Sequence, residues 1–133
     1  MITNADMTIY NKYFDKVTRL DKYNRKIIRN VFWDNNEGAI RVASGLTDAD
    51  KVLVLIPYES CLDGVLVSSN DFVGDVGTFT FQIGDRIVES ATYFDIEDKP
   101  NNLDREYRAF TITSIDRKDF GSLKMRHWEI RGK

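Results

Sequence analysis

One cysteine, one histidine and two prolines in 133 residues close off several kinds of protein at once. A lone Cys61 can form neither an internal disulfide nor a multi-cysteine zinc site, which suits a chain that folds in a reducing cytoplasm. With a single histidine to activate it, Cys61 is expected to be a buried, inert thiol. Histidine-based catalysis would have to run through His127, oriented by Asp116, Asp119 or Glu129. No G-x-S-x-G, G-x-x-x-x-G-K-[ST], H-E-x-x-H or G-x-G-x-x-G pattern accompanies it. His127 beside Trp128 on a strand therefore reads as structural, and the expectation is a non-enzyme without cofactor, metal or catalytic residue. The longest strong apolar run, residues 52–56, ends at Pro57, far short of the roughly 20 residues of a membrane helix. No membrane partner is expected, and nothing at the start reads as a secretory signal.

What is present fits one folded domain spanning residues 1–133, with 42% hydrophobic and 30% charged residues. The net charge of −2 conceals segregation: residues 1–45 carry +3, residues 46–104 carry −9 and residues 105–133 carry +4. Such an arrangement offers opposite charge to neighbouring copies, or is simply solvated surface. The basic interval Lys22, Arg25, Lys26 and Arg29 is too sparse for a nucleic-acid patch and reads as a strand edge or protein interface.

Period-two alternation dominates and predicts a mostly β domain. Residues 8–13 read as a strand turning near Asp15, although Tyr10, Tyr13, Phe14, Val17 and Leu20 also fit helical spacing, so a short helix stays open. Residues 27–33 form a second strand, and 34–38 (DNNEG) a turn whose spacing does not make a calcium loop. After a connection over 44–50, residues 51–58 (KVLVLIPY) suit a strand buried on both sides. In residues 78–90, Phe79, Phe81 and Ile83 alternate with threonines and Gln82 before a turn at Gly84 and Asp85, which implies a second hairpin or one bent strand. Residues 95–104 read as a polar loop. The last stretch, 107–130, reads as a hairpin around 116–122. Phe110 and Ile112 share one face there, Ile115 breaks parity, and a bulge is expected near Arg126 or His127, because Leu123 and Met125 are out of phase with Trp128 and Ile130.

Residues 61–77 (CLDGVLVSSNDFVGDVG) are the least regular, with three glycines, three aspartates and no cation. A long loop with one short strand is expected there, and long loops in compact domains are usually functional or mobile.

The strand TITSID, the turn KDFGSL and the closing HWEI, together with GDRIV at 84–88 and VFWDNNEG at 31–38, resemble a family of small tailed-phage proteins from the head-to-tail joining module. The pattern is similar to that of the head closure, or stopper, proteins of the phage neck. The resemblance covers most of the chain, but not residues 61–76. It implies a mainly β fold, a small twisted antiparallel β-barrel or sandwich with long loops and at most one short helix, in a virion structural protein assembled in the host cytoplasm as a homo-oligomeric ring, expected to be hexameric. That ring would sit between a portal-adaptor protein and a tail terminator or tail tube protein, around double-stranded DNA that passes without sequence-specific binding. On that footing Asp63, Val65, Leu66, Val67, Asp71 and Asp75 become candidates for a channel-facing or subunit-clasping loop, with Trp33, Phe110 and Trp128 as structural anchors. Alternatives are a tail terminator or tail-completion ring, and a monomeric ligand-binding β-barrel that stacks its ligand on Trp33, Trp128 and Tyr107.

Overall fold

The strand expected at residues 8–13 extends well beyond them. In the computed structural model, which describes residues 3–35, 51–96 and 99–133, β1 (Ala5–Asp15) and β2 (Leu20–Asn35) form a long antiparallel hairpin, and no helix forms at the N-terminal end. An Asp15 carboxylate that accepts the Val17 amide and the Thr18 hydroxyl sets the turn, completed by Arg19 at φ 58°. Further along, Ala5 faces Val31 while Met7 faces Ile28, so β2 holds one extra residue at Arg29 and Asn30. Asn30 takes φ 62°, and Asp6 secures the bulge by accepting from the Asn30 amide and the Arg29 guanidinium, both at 3.0 Å. A bulge bends a strand. Here it carries β2 from β1 to β3 (Val52–Pro57), which pairs with Phe32–Asn35.

β3 pairs with β8 (His127–Gly132), β8 with β7 (Ala109–Lys118), β7 with β6 (Arg86–Val88), and β6 returns to β1. The result is a closed, six-stranded antiparallel barrel in the order β1-β2-β3-β8-β7-β6. Inside it lie Met7, Ile9, Ile28, Val31, Trp33, Val52, Val54, Ile56, Ile87, Phe110, Ile112 and Ile130. A separate two-stranded parallel pair, β4 (Val65–Leu66) and β5 (Thr78–Phe79), lies in the segment that sends Phe79 and Phe81 into the same core.

The strand buried on both faces is β1, not β3. In β3, Val52, Val54 and Ile56 point inward, whereas Leu53 and Leu55 stay partly exposed. Every residue from Met7 to Asn11 is buried, because the return through 90–107 covers the outer face of β1. That return is more than the expected polar loop. It buries Ile96 and carries α1 (Asn101–Glu106), whose Leu103 packs with Tyr10, Val88 and Ile96.

The C-terminal hairpin forms as its periodicity suggests, but its bulge lies elsewhere. Ile112 faces Gly132 and Ser114 faces Arg131, so the extra residue sits in β7, where Ile115 had broken parity. Leu123 and Met125 belong to a short 3₁₀ turn rather than to β8, so β8 needs no slip. Residues 78–90 form neither a hairpin nor one bent strand. β5 pairs in parallel with β4 while β6 joins the barrel wall, and Ile83 is exposed. Asp34 and Asn35 close β2; the rest of the expected 34–38 turn and the 44–50 connection lie outside the described residues.

Candidate functional site at one end of the barrel

β1 runs toward the 15–20 turn, and alternate strands of an antiparallel barrel run the same way, so β3 and β7 also end there. Three features therefore gather at this end: the β1–β2 tip, the 3₁₀ turn at Tyr58–Cys61, and the β7–β8 turn. Trp128 shares the inward parity of Ile130 and reaches the barrel mouth, its ring centroid 5.2 Å from Phe81 and 6.2 Å from Tyr58. Arg117 leans over Tyr58 and Trp128, 5.6 Å from each ring, and its Nε donates to the Tyr58 hydroxyl at 2.7 Å. That bond, with the nearby Asp119 carboxylate, holds the guanidinium still more firmly protonated than usual.

Leu66 lies beside this cluster. Its strand is pinned by Val65 N–H to Gly77 O and Val67 N–H to Phe79 O, both 2.9 Å. Two concavities of about 400 and 420 Å³ share Leu66, Arg117 and Trp128. The first is bounded by Tyr58, Cys61 and Leu62; the second adds the hydroxyls of Ser68, Ser69 and Thr80. Burial pushes the Cys61 thiol up to about 11, so it meets the first cavity as an apolar surface rather than a nucleophile. A third groove of about 340 Å³ lies between Tyr58, Leu62 and Leu123.

The loop residues singled out from sequence separate here. Val65, Leu66 and Val67 all line the two cavities, Val65 from an exposed position. Asp63 binds Lys26 through both its carboxylate and its carbonyl. Asp71 accepts from the Ser68 hydroxyl at 2.9 Å, and Asp75 is exposed with its carbonyl bound by Thr78. Of the three aromatic anchors, Trp33 and Phe110 are buried 5.9 Å apart in the core, and only Trp128 reaches the mouth. Trp33, Trp128 and Tyr107 do not make one stacking face, since Trp33 is enclosed and Tyr107 packs on Phe94 in the cluster outside β1. His127 faces outward, with its ring nitrogens on Met125 O and Glu129 Oε1.

Sequence reading missed Tyr58, Arg117 and the hairpin tip. The tip carried a signal, because Phe14, Val17 and Leu20 are apolar where a turn favours polar residues. Tyr58 and Arg117 carried none, since one follows a strand-ending proline and the other sits among residues read as a turn. Two ion pairs join the basic first segment to the acidic middle one, Arg25 with Asp95 and Lys26 with Asp63, while Lys22 pairs with Asp15 and Arg29 with Asp6 within the first segment. The basic interval is thereby neutralised along β2. Among the described residues no three His, Cys, Asp or Glu side chains converge as a metal site, and no helix is long and apolar enough to cross a membrane.

No curated protein and no solved structure matches the chain. A match to a family model runs from residue 2 to residue 133, and over that length the chain belongs to a family described as a family of unknown function (DUF6751).

Proposed function

We propose that this chain is a structural, non-catalytic component of a tailed-phage neck. In this reading it is the head closure protein, which forms a ring between portal-adaptor and tail, retains packaged DNA and gives the tail its platform. One observation carries the reading. The segments that resemble stopper proteins are scattered from residue 31 to residue 130, yet 84–88, 111–116 and 127–130 fall on β6, β7 and β8, three adjacent strands, with 118–123 in the turn that joins the last two. Convergence on one wall of a closed barrel supports reading these segments together rather than as unrelated short likenesses. The barrel wall also suits ring assembly, because it leaves contacts with neighbours to loops and turns. Within the 61–77 loop, Asp71 and Asp75 are the carboxylates without a cation among the described residues, and they are the proposed channel-facing charges that repel the DNA backbone.

The test is a phage in which this gene stops early. Heads that package DNA, then leak it and lack tails are the expected outcome. Full heads beside free tails of irregular length would replace head closure by tail termination, and normal particles would sink the neck reading.

A further inference from the structure

Most of the large apolar side chains exposed among the described residues gather in two patches at one end of the barrel. One is the β1–β2 tip with the neighbouring loop: Phe14 is 57% exposed, Val17 92% and Leu20 64%, with Val73 lining the same hollow as Phe14. The other surrounds the β7–β8 turn, where Leu123 is 75% and Met125 66% exposed beside the groove of Tyr58 and Leu62. Exposing this much apolar surface is unfavourable unless something covers it.

The closed strand order decides how the patches face. β8 stands three places from β1 and β7 three places from β2, so the two hairpins rise from opposite walls. The Tyr58 side of the groove lies level with Asn30 of β2, where Ser60 is bound, well short of the tip at residues 15–20, so the tip cannot fill the groove of its own chain. It can fill the groove of the next copy, and repetition of that contact is the heterologous geometry of a ring. Charge agrees. Lys16 and Arg19 flank Val17 and pair with no carboxylate among the described residues, since Asp15 is taken by Lys22 and Asp21 by Lys12. Glu59 lines the groove and pairs with no cation among them. The tip thus brings two free cations to a free carboxylate, with Lys124 in the same groove setting the register by repulsion.

We infer that the β1–β2 tip of one copy seats in the Tyr58, Leu62 and Leu123 groove of the next, with Lys16 or Arg19 meeting Glu59. This rests on the ring reading above and names its contact.

Sedimentation of the purified full chain tests it. Wild type is expected to assemble with rising concentration, and Val17→Asp and Leu123→Asp each to abolish assembly without moving the melting temperature. Mixed in equal amounts, the two variants should form heterodimers and nothing larger, because each keeps the half the other lacks. Glu59→Lys should weaken assembly at least tenfold, and Lys16→Glu with Arg19→Glu in the same chain should restore it. A mixture that stays monomeric, or variants that assemble like wild type, overturns the contact. So does a wild-type chain that stays monomeric at the highest concentration reached, which would assign both patches to a different protein. The two proposals fail separately. A wild-type ring that survives both substitutions removes this contact and leaves the neck reading, whereas normal phage particles without the gene remove the neck reading and leave the contact.

Discussion

Asn11 sits in the middle of β1, fully buried, and holds the backbone of a segment that has no ladder of its own. Its Nδ2 donates to Thr80 O at 2.7 Å and to Asp85 Oδ2 at 2.9 Å, and its Oδ1 accepts from the Thr80 amide at 3.1 Å. Thr8 does the same on the outer face, donating to Ser90 O and accepting from the Thr92 amide, and the Tyr10 hydroxyl donates to Phe94 O at 2.6 Å. Buried backbone groups must be paired, and irregular segments cannot pair with one another regularly, so β1 side chains supply the partners. Asn11→Ala is expected to cost roughly 2–4 kcal/mol, since it strands Thr80 and withdraws one of the three donors to the buried Asp85. Urea denaturation measures it, and a loss under about 1 kcal/mol would mean that water replaces the amide. Burial also pushes the Tyr10 phenol up to about 12. Because the folded value is raised, the stability it contributes is fully present below the ordinary tyrosine value near 10 and is lost as pH rises through about 12. Ultraviolet titration should show one of the six tyrosines ionising only after the rest or upon alkaline unfolding, and Tyr10→Phe should remove that late step.

At the scale of elements, the 61–81 segment is fastened to the β1–β2 hairpin at its ends by Lys26 on Asp63, Asn24 on Thr78 and Asn11 on Thr80, and Gly74 holds its middle. It takes φ 85°, and a Cβ built there would lie 2.5 Å from the Tyr13 ring, which meets Phe72 edge-on. Gly74→Ala should therefore lift the loop from the hairpin, costing about 1–3 kcal/mol through left-handed strain and the clash together. Limited proteolysis should show faster cleavage within 61–77 while the barrel stays resistant; unchanged cleavage would mean that the Tyr13 ring swings aside. Why some elements were legible and others were not follows from the same packing. β7 and β8 alternate because one face meets the core and the other meets solvent, and that contrast is written in the residue types. β1 hid its role: Thr8, Tyr10 and Asn11 look polar in sequence but are buried by a segment 80 residues away, which no local pattern records. The bulge was felt in the lost parity of Ile115 yet assigned to the wrong strand, since a one-residue slip in either partner disturbs the same pairing.

For the molecule as a whole, the mainly β class was readable from short alternating runs and turn residues and the barrel option came with the resemblance, whereas closure was not readable, because it depends on which strand meets β1. The candidate site was legible only in part: Trp128 and Leu66 were named for separate reasons, and folding brings them together with Tyr58 and Arg117. The charge segments predicted an electrostatic role but not its address, as Arg25 and Lys26 meet Asp95 and Asp63 inside one chain rather than across two. The seam between β1 and β6 has a kinetic consequence. It consists of three residue pairs, and the first joins Thr8 to Val88. The strand that begins the chain thus waits for a partner made some 80 residues later, whereas its hairpin with β2 is local and free to form at once. Barrel closure should be the last event of folding and should follow the rate-limiting step, so that interactions at the seam are absent from the rate-limiting transition state. Ile87→Val, which trims a fully buried side chain of the seam, is accordingly expected to accelerate unfolding while leaving the refolding rate within about twofold. A newly synthesised copy would expose its most deeply buried strand until the final wall arrives.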